Sequence, residues 1–347
     1  MRSKFHNFSL TLIISLIILL PINYILANNP IEHHVWEMKE IVLVSDRSYD
    51  NPYTDVSCWV KLTGPDFSKR VYGFWDGENI FKVRFVATKP GLWKWESRSN
   101  QHDDNGLNNK SGSFTAVEWS EKEKNENPNR RGFIRATENG HALQYADGTP
   151  YFMVGDTWLA GSTWRLPFRN AITSNDYFPG PGMGFEDAVI YRKKQGFNSV
   201  SMIASFPNWD SDYNPSTYPD NNGIFIRNAW EKFGYDVSEA PGFDASGGLS
   251  YWGSLTSKDM RDEYGNLPFE MSKEHIGVSD FTRINPEYFK SLDKKMKFLS
   301  EQGFAALIET VRRDVGPSWK AYFDFNETFS LFVQYIISRY GAYNIFF

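Results

Sequence analysis

The chain has 347 residues, a formal net charge of −5 from 42 acidic and 37 basic side chains, 17% aromatic content and one cysteine. An even spread of both signs leaves no basic stripe of the kind that nucleic acid requires, and one cysteine excludes a disulfide framework or a cysteine metal cluster, so Cys58 is expected to be buried packing. The length suits two domains, and the 12 Trp and 18 Tyr offer flat apolar faces with a polar handle, for core packing at most positions and for stacking on sugar rings at a few.

In chain order, Arg2 and Lys4 precede an uncharged apolar run from Ser9 to Leu20, then Pro21 and a cleavage point after Ala27. A spanning helix needs about 20 apolar residues, more than this run supplies. Residues 1–27 therefore read as a secretory signal peptide, and the protein as secreted or periplasmic, without a stable membrane span once the signal is removed.

From Val35 to Trp119 short alternating runs are broken by turn residues, with no long stretch of helical period. Phe81, Val83, Phe85 and Ala87 alternate; Lys89, Pro90 and Gly91 form a turn that feeds a strand with Trp93 and Trp95 on one face and Lys94 and Glu96 on the other. Residues 30–119 are expected to form a small antiparallel β-sandwich with Trp93 or Trp95 in its core. Between Ser120 and Arg131 no residue is apolar, so 120–131 reads as a linker that burial cannot order.

Residues 132–347 have a different grammar. Asp147 and Gly148 separate Ala142–Tyr145 from Tyr151–Val154, a hairpin signal. Then a helical pattern ends three times at a glycine followed by an apolar run: Gly196 before Val200–Ile203, Gly303 before Phe304–Ile308, and Gly341 before Tyr343–Phe347. In the middle unit Asn285 suits the N-cap, Pro286 the first helical position and Gly303 a left-handed cap, while Phe289, Leu292, Met296 and Leu299 make one apolar stripe. A striped helix feeding an apolar strand is the parallel α/β unit, repeated either in a barrel or in an open doubly wound sheet. No Gly-rich phosphate loop follows these strands, which favours the barrel. The stretch from about Ser205 to Asn285, dense in Trp, Tyr, Asp, Asn, Gly and Pro, is long for a connection and is expected to sit at the C-terminal face of the strands, where barrels keep their sites.

Asp156, in Gly155-Asp156-Thr157-Trp158, is expected at the C-terminal end of the Tyr151–Val154 strand, gripping sugar hydroxyls beside a Trp158 platform; the alternative is that it caps the following turn. Glu309 takes the matching place after the third strand, followed by Arg312, Arg313 and Asp314. Asp156 and Glu309 are thus an in-principle carboxylate pair for glycoside cleavage, unless Glu309 bridges Arg312 or Arg313 beneath the site. Trp209, in Phe206–Asp210 after the second strand, is either a sugar platform or loop packing. Asp156, Trp158, Trp209, Glu309 and Arg312 are expected to line one substrate cleft. His33, His34, His102, His141 and His275 lack metal spacing, and no metal or cofactor is expected.

These residues resemble a known family: a small β-sandwich of unknown function followed by an apiosidase-like glycoside hydrolase barrel, common in exported bacterial polysaccharide-degrading systems. The resemblance rests on Asp147-Gly148-Thr149-Pro150 leading into Phe152–Trp158, on the helix exit Tyr191–Asn198, and on Arg339-Tyr340-Gly341-Ala342-Tyr343-Asn344-Ile345. It implies a retaining or inverting hydrolase of plant or algal polysaccharide in an eight-stranded barrel, with acid/base after strand four and nucleophile after strand seven. The chain stops at Phe347, within what would be strand four, so the expectation is an incomplete (β/α)8 barrel of about four strands, with both catalytic carboxylates beyond Phe347 and no activity alone. The alternative is a non-catalytic carbohydrate-binding protein working through its β-sandwich. A polysaccharide lyase would need a basic residue beside a Tyr or His, a case Arg312 and Tyr191 do not make.

Overall fold

The computed structural model describes residues 32–164, 166–169, 183–205, 243–244, 248–249, 261–274, 279–311 and 323–347. The signal expected at 1–27 lies outside them, as do Trp209 and Arg312. Among the described residues no helix is long and apolar enough to cross a membrane.

A β region comes first. Its elements are β1 (Glu32–His34), β2 (Met38–Val44), the single turn α1 (Pro52–Asp55), β3 (Cys58–Gly64), β4 (Phe67–Tyr72), β5 (Phe74–Trp75), β6 (Ile80–Val86), β7 (Gly91–Ser99) and β8 (Ser111–Val117). They build a five-stranded sheet in the order β1-β8-β7-β3-β4 and a three-stranded sheet in the order β2-β6-β5. Alternation decides the faces: Val60 and Leu62 of β3, Trp93 of β7 and Phe114 of β8 meet Ile41 and Leu43 of β2 and Phe81, Val83 and Phe85 of β6 in one core. Trp93 is fully buried and donates its indole N–H to Lys89 O at 2.9 Å, with Trp95 partly buried beside it. Cys58 is buried, and burial pushes its thiol up to about 12.

The stretch 120–131 is more ordered than its composition suggests. Ser120 and Glu123 form a reciprocal capping box at the start of α2 (Glu121–Glu126), and a 3-10 turn follows at Pro128–Arg131. Order here comes from polar groups. Asn127 Nδ2 donates to Ser300 O (2.9 Å), and buried Asn129 donates from Nδ2 to Phe304 O (3.0 Å).

The α/β region opens with a small antiparallel sheet of β9 (Arg135–Ala136), β10 (Leu143–Gln144) and β11 (Pro150–Tyr151). Its parallel sheet follows: β12 (Gly155–Thr157), then α3 (Phe185–Lys194) into β13 (Ser199–Ser205), α4 (Pro286–Glu301) into β18 (Ala305–Val311), and α5 (Phe325–Tyr340) into β19 (Ile345–Phe346). Between β13 and α4 lie two antiparallel pairs, β14 (Phe243–Asp244) with β15 (Gly248–Leu249) and β16 (Phe269–Met271) with β17 (Ser279–Ile284). The parallel order is β12-β13-β18-β19, each strand beside its predecessor in the chain. The helix α4 forms as its sequence dictates: Asn285 accepts from Glu287 N, Pro286 opens the helix, Gly303 adopts φ +82°, and the four stripe residues are at most 1% exposed. They join Val200, Met202, Ala306 and Ile308 of the sheet and Phe332, Tyr335 and Ile336 of α5.

Two expectations are corrected. No strand spans Tyr151–Val154: the chain leaves β11 after Tyr151 and re-forms a strand at Gly155. The Asn198 side chain spans the break, with Oδ1 accepting from Val154 N (2.9 Å) and Nδ2 donating to Phe152 O (2.8 Å) in place of ladder bonds. The described end of the long excursion is core rather than cleft lining, since Phe269, Phe281 and Ile284 are buried and Phe269 packs 5.2 Å from Phe332 of α5.

Candidate functional site

Register decides what the parallel sheet presents. Neighbours in a parallel sheet point to the same side, so Asp156, Val200 and Ala306 share one side, together with Met202 and Ile308. That side is covered by the helices. The opposite side carries Gly155 and Thr157, Ser201 and Ile203, Leu307 and Glu309, and Phe346. Along it Gly155, Thr157 and Glu309 are exposed, Ser201, Leu307 and Phe346 half-buried, and Ile203 and Ser205 buried. At the N-terminal ends of the strands this face is closed, because Tyr145 and Tyr151 from the hairpin pack on Ala305 with Met153 and Phe346. The result is a face covered at the N-terminal ends of β18 and β19, with Glu309 exposed in the C-terminal half of β18.

Glu309 stands on this open face, paired in register with Ile203. It is exposed, and among the described residues no hydrogen bond or ion pair engages it. The Arg312 and Arg313 expected beside it lie outside the described residues, as does Trp209.

Asp156 is elsewhere. It pairs in register with Val200, near the N-terminal ends of the strands, so the expected C-terminal position is corrected. Its side chain points to the helix side: Oδ2 lies 2.6 Å from Arg192 Nε of α3 and accepts from Trp158 Nε1 at 3.0 Å, and Oδ1 accepts from Thr157 N at 2.9 Å. Burial works against its charge, and the Trp158 and Thr157 hydrogen bonds with the Arg192 cation outweigh it, holding the carboxyl below its ordinary range. Trp158 packs edge-on to Phe185 of α3 with centroids 5.7 Å apart. Asp156 and Trp158 are thus brought together, but as a brace between β12 and α3.

Asp156 and Glu309 therefore do not form the pair anticipated from sequence. They occupy opposite faces and lie three residues apart along the register, roughly 10 Å of strand rise. The cleavage geometries need two carboxyls about 5–5.5 Å or about 6.5–9.5 Å apart, flanking one bond. Sequence reading missed Thr157 and Ser201, hydroxyl side chains on the open face, because only the register shows which member of an alternating run faces the opening. Among the described residues no group of three or more His, Cys, Asp or Glu is placed to hold a metal ion.

Comparison with known proteins follows the division of the fold. Residues 137–347 match the apiosidase-like catalytic domain, and residues 32–100 match a domain of unknown function (DUF5060). The chain belongs to the apiosidase-like family. Among solved structures it is similar to a provisionally assigned glycoside hydrolase from Bacteroides vulgatus ATCC 8482, with 20% identity and a TM-score of 0.56 over 90% of this chain and 48% of that one. It spans about half the length of that protein. A glycoside hydrolase family 5 structure from the same organism is 14% identical over 63% of this chain and 32% of its own, with a TM-score of 0.32. No curated protein matches.

Proposed function

We propose that the chain is an exported glycoside hydrolase component acting on a plant or algal polysaccharide, and that the open face of the parallel sheet is part of its substrate cleft. The observation that carries this reading is Glu309, exposed in the C-terminal half of β18 on the side away from the helices and without a side-chain partner among the described residues. Barrel enzymes place their sites at that end. Sequential strand order supports a barrel over a doubly wound sheet, whose order reverses at a switch point. The β region is read in the same way as a β-sandwich domain, residues 30–119, joined through 120–131 to a barrel domain at 132–347.

Glu309 binds sugar hydroxyls through charge-assisted hydrogen bonds. Among the strand residues of the open face it is the only carboxylate, so cleavage would need a second carboxylate from outside the described strands. The test is titration of the purified chain with oligosaccharides prepared from a panel of plant and algal polysaccharides, with reducing ends measured in the same samples. Binding of at least one oligosaccharide, weakened about tenfold by Glu309→Gln and untouched by Asp156→Asn, is expected. Binding insensitive to Glu309→Gln would overturn the cleft; hydrolysis abolished by both substitutions would overturn the assignment of the two carboxylates to opposite faces.

A further inference from the structure

The outer face of the five-stranded sheet has no role in that cleft, and its composition is unusual for a chain of net charge −5. Alternation sends Trp59 and Lys61 of β3, Arg70 and Tyr72 of β4, and Glu96 and Arg98 of β7 away from the core. Two rows run across the three strands, Tyr72-Trp59-Arg98 and Arg70-Lys61-Glu96. All of these residues but Tyr72 line a depression of about 590 Å³, with Trp59, Lys61, Arg70 and Arg98 in its wall. Glu96 is its one carboxylate and already sits 2.5 Å from Arg98. Among the described residues neither Lys61 nor Arg70 has a carboxylate partner.

Arg70 is held rather than loose. Its guanidinium lies 4.4 Å from the Trp59 ring centroid and donates from Nη1 to Tyr72 Oη at 3.2 Å. These contacts restrain the guanidinium and leave Nε and Nη2 without a hydrogen-bond partner among the described residues, so part of the ordering entropy of a planar fork is already spent before a ligand arrives. Such a fork fits a carboxylate through two parallel hydrogen bonds. Aromatic edges of Trp59 and Tyr72 beside it offer apolar contact to a sugar ring.

We propose that this face binds a polyuronate, a glycan whose sugars carry carboxylates, with Arg70 taking one carboxylate and Lys61 a second across the strand. The choice of a glycan rests on the glycoside hydrolase reading above; the preference for negative charge rests on the patch alone. The surface would hold the protein on an acidic polysaccharide independently of the cleft.

The test uses the full chain in native gels containing polygalacturonate, a neutral β-glucan, a sulfated galactan or single-stranded RNA. Retardation by polygalacturonate and not by the β-glucan is expected, weakened about tenfold by Arg70→Ala, less by Arg70→Lys, and unchanged by Lys122→Ala on the exposed side of α2. Trp59→Tyr, which keeps the ring, should retain more retardation than Trp59→Ala, with circular dichroism checking that both fold. Absence of retardation, or retardation that ignores Arg70→Ala, would overturn the proposal. Equal retardation by the sulfated galactan or by RNA would replace it with a general polyanion surface. Loss of Glu309-dependent oligosaccharide binding leaves this readout intact, so the two readings fail separately.

Discussion

At the scale of single residues Gly64, at the end of β3, is tightly constrained. A Cβ there would lie 2.3 Å from the ring of Trp93, which is fully buried and fixed by its hydrogen bond to Lys89 O. The ring has nowhere to go. Gly64→Ala should cost about 1–3 kcal/mol by overpacking, read as a lower urea midpoint with an unchanged slope; a midpoint equal to that of the parent would show that the sheet yields. Lys295 of α4 is constrained differently. Its ammonium is fully buried and donates to Gly161 O (2.8 Å), Thr163 O (3.4 Å) and Leu166 O (2.7 Å), tying down the loop after β12. Burial lowers its pKa to about 8, against the pull of Glu263 and Asp262. Because the unfolded chain holds this proton more tightly, folding gains stability as pH rises from about 8 toward the unfolded value near 10.4. Buried tyrosines push the other way in that range, so the group is isolated by difference: the deficit of Lys295→Met relative to the parent should be smallest below pH 8 and widen toward pH 10. A pH-independent deficit would show that Lys295 stays charged throughout.

At the scale of elements, legibility followed the kind of force that forms each one. The helix α4 was readable in full, since cap, first-turn proline, apolar stripe and left-handed glycine all act locally. The alternation of Phe81, Val83 and Phe85 was equally plain because burial on one face imposes it. Residues 120–131 were misread because their order comes from a capping box and from Asn127 and Asn129 reaching backbone carbonyls of the α4 exit, about 170 positions away in sequence. Composition cannot encode such partners. Asp156 was misplaced for a related reason: the strand expected at Tyr151–Val154 is interrupted where Asn198, distant in sequence, bonds the backbone of Phe152 and Val154, and the strand that carries Asp156 begins only at Gly155. Limited proteolysis tests the first of these points. Arg130 and Arg131 should resist trypsin in the native chain and become cleavable in Asn129→Ala, which removes the bonds to Ser300 O and Phe304 O; preferential cutting there in the parent would restore the flexible linker.

At the scale of the whole molecule, the β region and the α/β region are locked by a buried ion cluster. Asp293 of α4 accepts from both arginines at once, from Arg84 of β6 at 3.1 and 2.8 Å and from Arg339 of α5 at 2.9 and 2.8 Å. Arg339 also reaches Asp76 at 2.7 Å, Arg84 reaches Glu40 at 2.8 Å, and Lys82 lies 2.8 Å from Asp76. Three cations thus meet three carboxylates across the junction, with Tyr53 and Phe74 of the β region packed edge-on to Tyr335 of α5. Burial alone would discharge Asp293, but the charges of Arg339 and Arg84 outweigh it and hold its carboxyl below the ordinary range. A depressed carboxylate contributes stability above its unfolded value near 3.9, and that contribution fades as pH falls through the lower folded value. Removing the charge should be far more costly than removing a surface pair, because two buried guanidinium groups lose the partner that accepts two bonds from each and keep one carboxylate apiece, Glu40 for Arg84 and Asp76 for Arg339. Asp293→Asn is expected to lose about 3–5 kcal/mol at neutral pH and to lose the acid dependence belonging to this group. If the cluster is what couples the two regions, calorimetry should give one transition for the parent and two for the variant, with the β region melting on its own. A single transition shifted downward in Asp293→Asn would assign the coupling to the Tyr53, Phe74 and Tyr335 contact instead.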